Sequence, residues 1–235
     1  MSDLNGTVVT WLGHSTVHIQ TAKGTSILID PFIEHNPKYP KGYELPKIDL
    51  LLLTHGHSDH IADAISVAKK DKPTVVAIFE LATWLESKKV SNTVGMNLGG
   101  TYTFKDVKAT MVEARHSSSI EDGDRLIYGG EPAGFVIAVD GGPTIYAAGD
   151  TSVYSDMQLI KELYKPQLAI LPIGDHYTMG PKAAALAAKY VGAAVVLPVH
   201  YGTFPPLTGT PEELEKSLEG TGVTVKGIKP GESLR

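Results

Sequence analysis

The stretch "LLLTHGHSDHIAD", Leu51 to Asp63, places three histidines and an aspartate directly after an unbroken apolar run. Such a run is typical of a strand that is buried on both faces of a sheet. His55 and His57 are two residues apart, so in extended backbone their side chains point to the same side. Asp59 and His60 follow on the next turn, and imidazoles and carboxylates together form the usual ligand set of zinc and its neighbours. The stretch therefore predicts a metal site where a buried strand ends.

Three further ligand candidates follow other predicted strands. "VEARHSSS" contains His116, "IYAAGDTS" contains Asp150, and "VVLPVHYG" contains His200. Taken singly, they could be a loop histidine, a helix N-cap and a buried core histidine. Ligands in α/β proteins gather at the carboxyl ends of strands, so we expect these residues to converge with the first four. Seven candidates exceed the four ligands that close a structural zinc site.

Composition limits the classes of protein to which the chain can belong. Its 235 residues are 42% hydrophobic, enough for a substantial core, and we expect a single domain over residues 1–235. The absence of cysteine excludes disulfides, thiolate metal sites and a cysteine nucleophile. A net charge of -5 favours neither nucleic acid nor an anionic membrane as partner. No signal peptide is visible and no apolar run reaches about 20 residues, so we expect a cytoplasmic protein. We also expect a small-molecule substrate. The chain could form a homo-oligomer.

The order of predicted elements indicates an α/β protein. Short alternating strands come first, and strands alternating with helices follow, twice along the chain. We therefore expect two similar halves, each supplying a sheet, with the sheets packed together and helices outside. Apolar residues at helical spacing predict a helix over 59–70, while residues 36–47 and 117–134 read as long loops.

Several motifs carry a family resemblance. "THGHSDH", with the later His116, Asp150 and His200, resembles the signature of the metallo-β-lactamase superfamily, His-x-His-x-Asp-His followed by His, Asp and His. "WLGHST", "ILIDPF", "GDTSVY", "PIGDHYTMGP" and "VHYGTFPPL" resemble the UPF0173 metal-dependent hydrolases, which lie near the ascorbate-6-phosphate lactonases and the N-acylphosphatidylethanolamine phospholipase D enzymes. The resemblance covers essentially the whole chain and implies a four-layer αββα sandwich.

The resemblance also implies two divalent metal ions per chain. The first would be held by His55, His57 and His116, the second by Asp59, His60 and His200, and Asp150 would bridge them. We expect zinc, with manganese, iron or nickel as alternatives, because ligands of this kind do not choose among these metals. Redox di-iron members of the superfamily usually carry glutamate in place of His57, which argues against oxygen chemistry.

The implied reaction is hydrolysis by a metal-bridging hydroxide. The bond would be an ester, lactone, amide or phosphodiester in a small molecule. A phosphodiesterase or nuclease on the same dinuclear site is one alternative, and a metal-binding sensor without turnover is another.

Catalytic roles are expected for Asp59 and Asp150 as metal ligands and for two free histidines. His14, in "GHST", and His176, in "GDHYT", could each protonate a leaving group, although either could instead be structural. Asp30, in "ILIDP", could accept the free N–H of a metal-bound imidazole or simply form a turn before Pro31. Tyr201 could contact substrate or only pack.

Overall fold

Two seven-stranded sheets form the centre of the molecule, for which a computed structural model describes residues 4–235. The first sheet runs in the order β16-β1-β2-β3-β4-β5-β6. Its strands are β1 (Val8–Trp11), β2 (Val17–Gln20), β3 (Ser26–Ile29), β4 (Leu50–Leu52), β5 (Thr74–Ile78), β6 (Thr93–Met96) and β16 (Ser233–Leu234).

The second sheet repeats the pattern of the first. Its order is β15-β14-β13-β12-β11-β8-β7, with β7 (Thr101–Phe104), β8 (Val107–Glu113), β11 (Ala133–Val139), β12 (Thr144–Ala147), β13 (Leu168–Pro172), β14 (Val195–Val199) and β15 (Thr224–Val225). In each sheet three antiparallel pairings are followed by three parallel ones. The expectation of two similar halves is confirmed, except that the C-terminal strand β16 returns to the first sheet.

Residues of the second sheet alternate between two hydrophobic cores. In β13, Leu168 and Ile170 belong to the core that contains side chains from both sheets. Their neighbours Ala169 and Leu171 belong to a second core, shared with three helices on the outer face. This period of two places one apolar face against the other sheet and one against helices. The predicted αββα layering is confirmed.

Six helices lie outside the sheets in the described chain: α1 (Ser58–Ile61), α2 (Ala64–Asp71), α3 (Phe79–Ser87), α4 (Met157–Tyr164), α5 (Pro181–Val191) and α6 (Pro211–Ser217). The helix expected over 59–70 is divided into α1 and α2. The break comes at Asp63, whose N–H donates to the carbonyl of Pro31 at 3.0 Å and whose carboxylate accepts the N–H of Ile33 at 2.6 Å. None of these helices has the length and apolar character needed to cross a bilayer.

The prediction of a loop over residues 117–134 is wrong for the central part of this range. β9 (Ser119–Asp122) and β10 (Arg125–Tyr128) form an antiparallel hairpin, closed by Gly123 with φ of 61°. Ile120 is buried, and it fixes the hairpin against the main core. The other expected loop, residues 36–47, is confirmed, since it contains neither helix nor strand.

Candidate metal centre

The seven predicted ligands meet at one edge of the two sheets. His55 follows β4, Asp150 follows β12 and His200 follows β14, while His116 follows β8. His57, Asp59 and His60 lie at the start of α1 or just before it. The carboxyl ends of the parallel strands thus bring together residues that are up to 145 positions apart, from His55 to His200.

The first group consists of His55, His57 and His116. One ring nitrogen from each lies within 4.8 Å of the others. Nε2 of His55 is 3.0 Å from Nδ1 of His57, which identifies the nitrogens that face each other. This group has the same members as the first predicted metal site.

The second group contains four residues, one more than the resemblance implies. Asp59, His60 and His200 are joined by His14, and again the ligand atoms all lie within 4.8 Å of one another. Oδ2 of Asp59 is 2.9 Å from Nε2 of His14 and 3.8 Å from Nε2 of His200.

Asp150 lies between the two groups. Its Oδ2 is 3.1 Å from Nε2 of His200 and 3.3 Å from Nε2 of His60, both in the second group. The same oxygen is 3.7 Å from Nε2 of His116 in the first group. A carboxylate in this position can contact cations on both sides.

Four buried atoms of the cluster lack a hydrogen-bond partner in the described structure. They are Nε2 of His60, both ring nitrogens of His200 and Oδ1 of Asp150. A buried polar atom left unpaired costs about 1–3 kcal/mol, so such atoms at one point need an explanation. Nitrogen and carboxylate oxygen donors without thiolate suit zinc, manganese, iron and nickel. The residues therefore fit divalent metal ions.

Charges in the cluster shift the pKa values strongly. Burial alone would lower the pKa of His200, but the carboxylate of Asp150 outweighs it and raises that pKa to about 9. Burial likewise opposes the charged form of His60, and Asp150 and Asp59 nevertheless raise its pKa well above the usual range. Burial would raise the pKa of Asp150, whereas His200 and His60 hold it well below its usual value. Without metal, protons on His60 and His200 offset the negative charges of the neighbouring carboxylates.

Asp30 supports both ligand groups. Its Oδ2 is 2.8 Å from Nδ1 of His60, and it also accepts the hydroxyl of Thr54 at 2.6 Å. The Thr54 oxygen is in turn 2.9 Å from Nδ1 of His55. With its hydroxyl proton donated to Asp30, that oxygen accepts the Nδ1–H of His55. Both imidazoles are thereby held with Nε2 free for a metal.

His14 is buried beneath the site and does not line the cavity above it. Its Nδ1 is 3.0 Å from the hydroxyl of Thr203, and burial lowers its pKa to about 4. Its carbonyl accepts the N–H of His200 at 2.9 Å and the indole N–H of Trp11 at 2.8 Å. The ring and the backbone of His14 thus hold two ligands, Asp59 and His200.

Three of these residues adopt left-handed backbone conformations. His14, Asp30 and His200 have φ values of 53°, 46° and 55°. Non-glycine residues in this region carry strain, and such residues cluster at functional sites. The strained residues here are one predicted ligand, His200, and two residues that position ligands, His14 and Asp30.

A cavity of about 620 Å³ opens above the ligands. It is lined by His57, Ser58, Asp59, His116, Ser117, Ser119, Glu121, Asp150, Tyr177, His200, Phe204 and Pro206.

Two candidates for substrate contact lie elsewhere. His176 is exposed and outside the cavity lining, because consecutive positive φ values at Asp175 and His176 turn the chain so that Tyr177 lines the cavity instead. Tyr201 stacks on Trp11 with ring centroids 5.1 Å apart, which is a packing contact.

Sequence reasoning missed several residues of the site. Thr54 and Thr203 bind ligand-holding side chains, while Glu121 and Phe204 line the cavity. Thr54 directly precedes His55, so its position was a usable signal. Nothing in the sequence distinguishes Glu121 from other surface carboxylates.

Comparison with known proteins shows similarity along nearly the whole chain. The family model for the beta-lactamase superfamily domain matches residues 25–201. A UPF0173 metal-dependent hydrolase of Koribacter versatilis is 51% identical over 232 residues, covering 98% of this chain and 99% of the relative. A second one, from Methanopyrus kandleri, is 43% identical over 227 residues, covering 96% of this chain and 98% of the relative.

The solved structures include a similar molecule. A metallo hydrolase from the hyperthermophilic archaeon Ignicoccus hospitalis superimposes with a TM-score of 0.86 at 35% identity, and the match covers 97% of each chain. Its description as a metallo hydrolase agrees with the ligand cluster found here.

Proposed function

The chain belongs to the UPF0173 metal-dependent hydrolases of the metallo-β-lactamase superfamily, and from this membership we propose that it is a dinuclear hydrolase of small molecules. The observation that carries the proposal is Asp150, whose Oδ2 lies within 3.7 Å of histidines from both ligand groups. The bond cleaved would be an ester, lactone, amide or phosphodiester. We also propose that the enzyme works in the cytoplasm.

The proposed ligands divide into two sets that share one carboxylate. The first ion would be held by His55, His57 and His116, the second by Asp59, His60 and His200, and Asp150 would contact both. Two divalent ions, zinc first among the candidates, would supply Lewis-acid activation of a water and of the bond under attack.

The protein's own contribution is to fix the ligands before substrate arrives. Asp30 and Thr54 set the tautomers of His60 and His55. His14 orients Asp59 through its ring and His200 through its carbonyl. We therefore give His14 a positioning role in place of the proton-donor role expected from the sequence, because it does not line the cavity.

The serines beside His116 are not nucleophiles in this proposal. The hydroxyl of Ser117 is 3.4 Å from Nε2 of His57, and that of Ser118 is buried and accepts the N–H of Gly56 at 3.2 Å. His57 and His116 are both committed as ligands, so neither can serve as the general base that a serine nucleophile needs.

A substrate panel with and without metal tests the proposal. Purified protein would be stripped with chelator, reconstituted with zinc, manganese, iron or nickel, and assayed on lactones, aryl esters, amides and bis-p-nitrophenyl phosphate. We expect activity that disappears with chelator, returns with metal, and is lost in Asp150→Ala. The proposal is wrong if the reconstituted protein binds metal but cleaves none of these compounds, which would favour a sensor, or if Asp150→Ala remains fully active.

A further inference from the structure

The lining of the cavity above the ligands carries acidic side chains but, apart from the histidines, no basic ones. Its lining contains the carboxylate of Glu121 and no lysine or arginine. In the described part of the chain Glu121 has no ion-pair partner. Asp59 and Asp150 also line the cavity, but in the proposed function they would be bound to two divalent ions, whose positive charge exceeds theirs. Glu121 is thus the one lining carboxylate whose charge remains available to a substrate.

Two cations near this region are already engaged in other contacts. The guanidinium of Arg115 is 3.0 Å from Glu113 and lies over the ring of Tyr154, beside a separate cleft. Lys88 pairs with Asp122 at 2.6 Å. An anionic substituent on a substrate would therefore meet no positive side chain in the cavity.

The geometry of the hairpin places Glu121 on the cavity wall. Directly opposed residues of an antiparallel pair point to the same side, and Glu121 is opposite Leu126 while Ser119 is opposite Tyr128. Ser119 and Glu121 line the cavity, so Leu126 and Tyr128 extend the same face outward. They are 73% and 62% exposed, and they lie outside the cavity lining on the same face of the hairpin as the carboxylate.

Two aromatic residues also line the cavity. Tyr177 and Phe204 line the cavity and are 58% and 36% exposed, so their rings are accessible to a ligand. Aromatic faces attract cations as well as apolar groups. A carboxylate and two aromatic rings in the lining of one cavity are complementary to an ammonium group that carries an apolar substituent.

We propose that the substrate carries an ammonium group near the bond that is cleaved, that Glu121 pairs with this group, and that Tyr177 and Phe204 contact its apolar part. This inference rests on the proposed function, because it assigns a substrate class to the same cavity. Glu121 is then a specificity-determining residue that holds no metal.

Ligand binding tests the inference independently of turnover. Dissociation constants of phenethylammonium and of its neutral analogue 2-phenylethanol would be measured by NMR titration of the metal-loaded protein. We expect wild type to prefer the ammonium by roughly fivefold, the upper range for a solvent-exposed ion pair. Glu121→Gln should abolish the preference with unchanged metal content, and the control Glu219→Gln, at an exposed position outside the cavity, should keep it.

Two results would overturn the inference: equal affinity of wild type for both ligands, or a preference that Glu121→Gln leaves unchanged. Hydrolysis of matched p-nitrophenyl esters, with ammonium, neutral or carboxylate substituents, separates this inference from the proposed function. If neither these esters nor any compound of the substrate panel described above is cleaved although the binding preference depends on Glu121, the proposed function fails and the assigned specificity stands. If the carboxylate ester is the best substrate, the function stands and the specificity is wrong.

Discussion

Asp30 is the residue on which both ligand groups depend. It contacts His60 directly and reaches His55 through the hydroxyl of Thr54. Replacing Asp30 with Asn should lower metal affinity or activity on the order of 10–100-fold, because the acceptor that fixes the imidazole tautomers is weakened. Thr54→Val should affect mainly the group that contains His55, and Thr54→Ser should retain wild-type affinity.

Metal titrations of the purified variants, monitored by competition with a chromophoric chelator, measure these effects for each ion. Equal affinities in Asp30→Asn and wild type would show that the carboxylate only forms a turn.

The raised pKa of His200 predicts that metal affinity and the stability of the metal-free fold change in opposite directions with pH. A metal must displace its proton, so metal affinity should increase as the pH rises from 6.5 towards 9. In the metal-free protein the charged ring stabilises the fold, because its pKa in the folded state exceeds the unfolded value of 6.5. That contribution is complete below pH 6.5 and is lost as the pH rises through 9.

Denaturant unfolding of chelated protein and metal competition, each measured across this pH range, check the two dependences. A metal affinity that is independent of pH would show that His200 is neutral before the metal binds.

At the scale of elements, the two halves place related residues at related positions. Asp30 follows β3 and Asp150 follows β12, which occupy the same place in the order of their sheets. His14 lies in the β1–β2 connection, and His116 lies in the corresponding β8–β11 connection. The site therefore combines two similar strand-end arrangements, one from each sheet.

The sequence was sufficient for the main strands and for the metal-ligand motif, because apolar runs and closely spaced histidines are local signals. The hairpin β9–β10 was missed since Leu126 and Tyr128 are exposed and Ile120 alone marks the buried face. The two-residue strand β16 could not be recognised, because its pairing with β1 joins opposite ends of the chain. Likewise, the contact of His14 with Asp59 is set by tertiary folding alone.

The hairpin packs directly on the ligand motif, which predicts a cost for Gly56→Ala. A Cβ at Gly56 would lie 2.8 Å from Cγ1 of Ile120 and 3.0 Å from the carbonyl of Ser119. We expect a loss of about 1–3 kcal/mol in the free energy of unfolding, as for other overpacked sites. Because the clash involves Ile120, the double variant Gly56→Ala with Ile120→Ala should lose less than the sum of the single changes. Strict additivity in denaturant unfolding would contradict this contact.

At the scale of the whole molecule, metal binding should hold the two sheets together. His55, His57, Asp59 and His60 follow a strand of the first sheet, whereas His116, Asp150 and His200 follow strands of the second. Metal at 100 times its dissociation constant should add about 2.7 kcal/mol to the free energy of unfolding per ion. Thermal unfolding with and without chelator measures this as a higher Tm, and the gain should be much smaller in Asp150→Ala. An identical Tm with and without chelator would contradict the effect.

The central claim, that one chain holds two ions bridged by Asp150, is tested most directly by metal content after reconstitution. Elemental analysis should find two ions per chain in wild type and one in either His116→Ala or His200→Ala, because each variant loses a ligand of one set. Asp150→Ala should lower the content at both sites. A wild-type value of one ion per chain, unchanged in His200→Ala, would contradict the account.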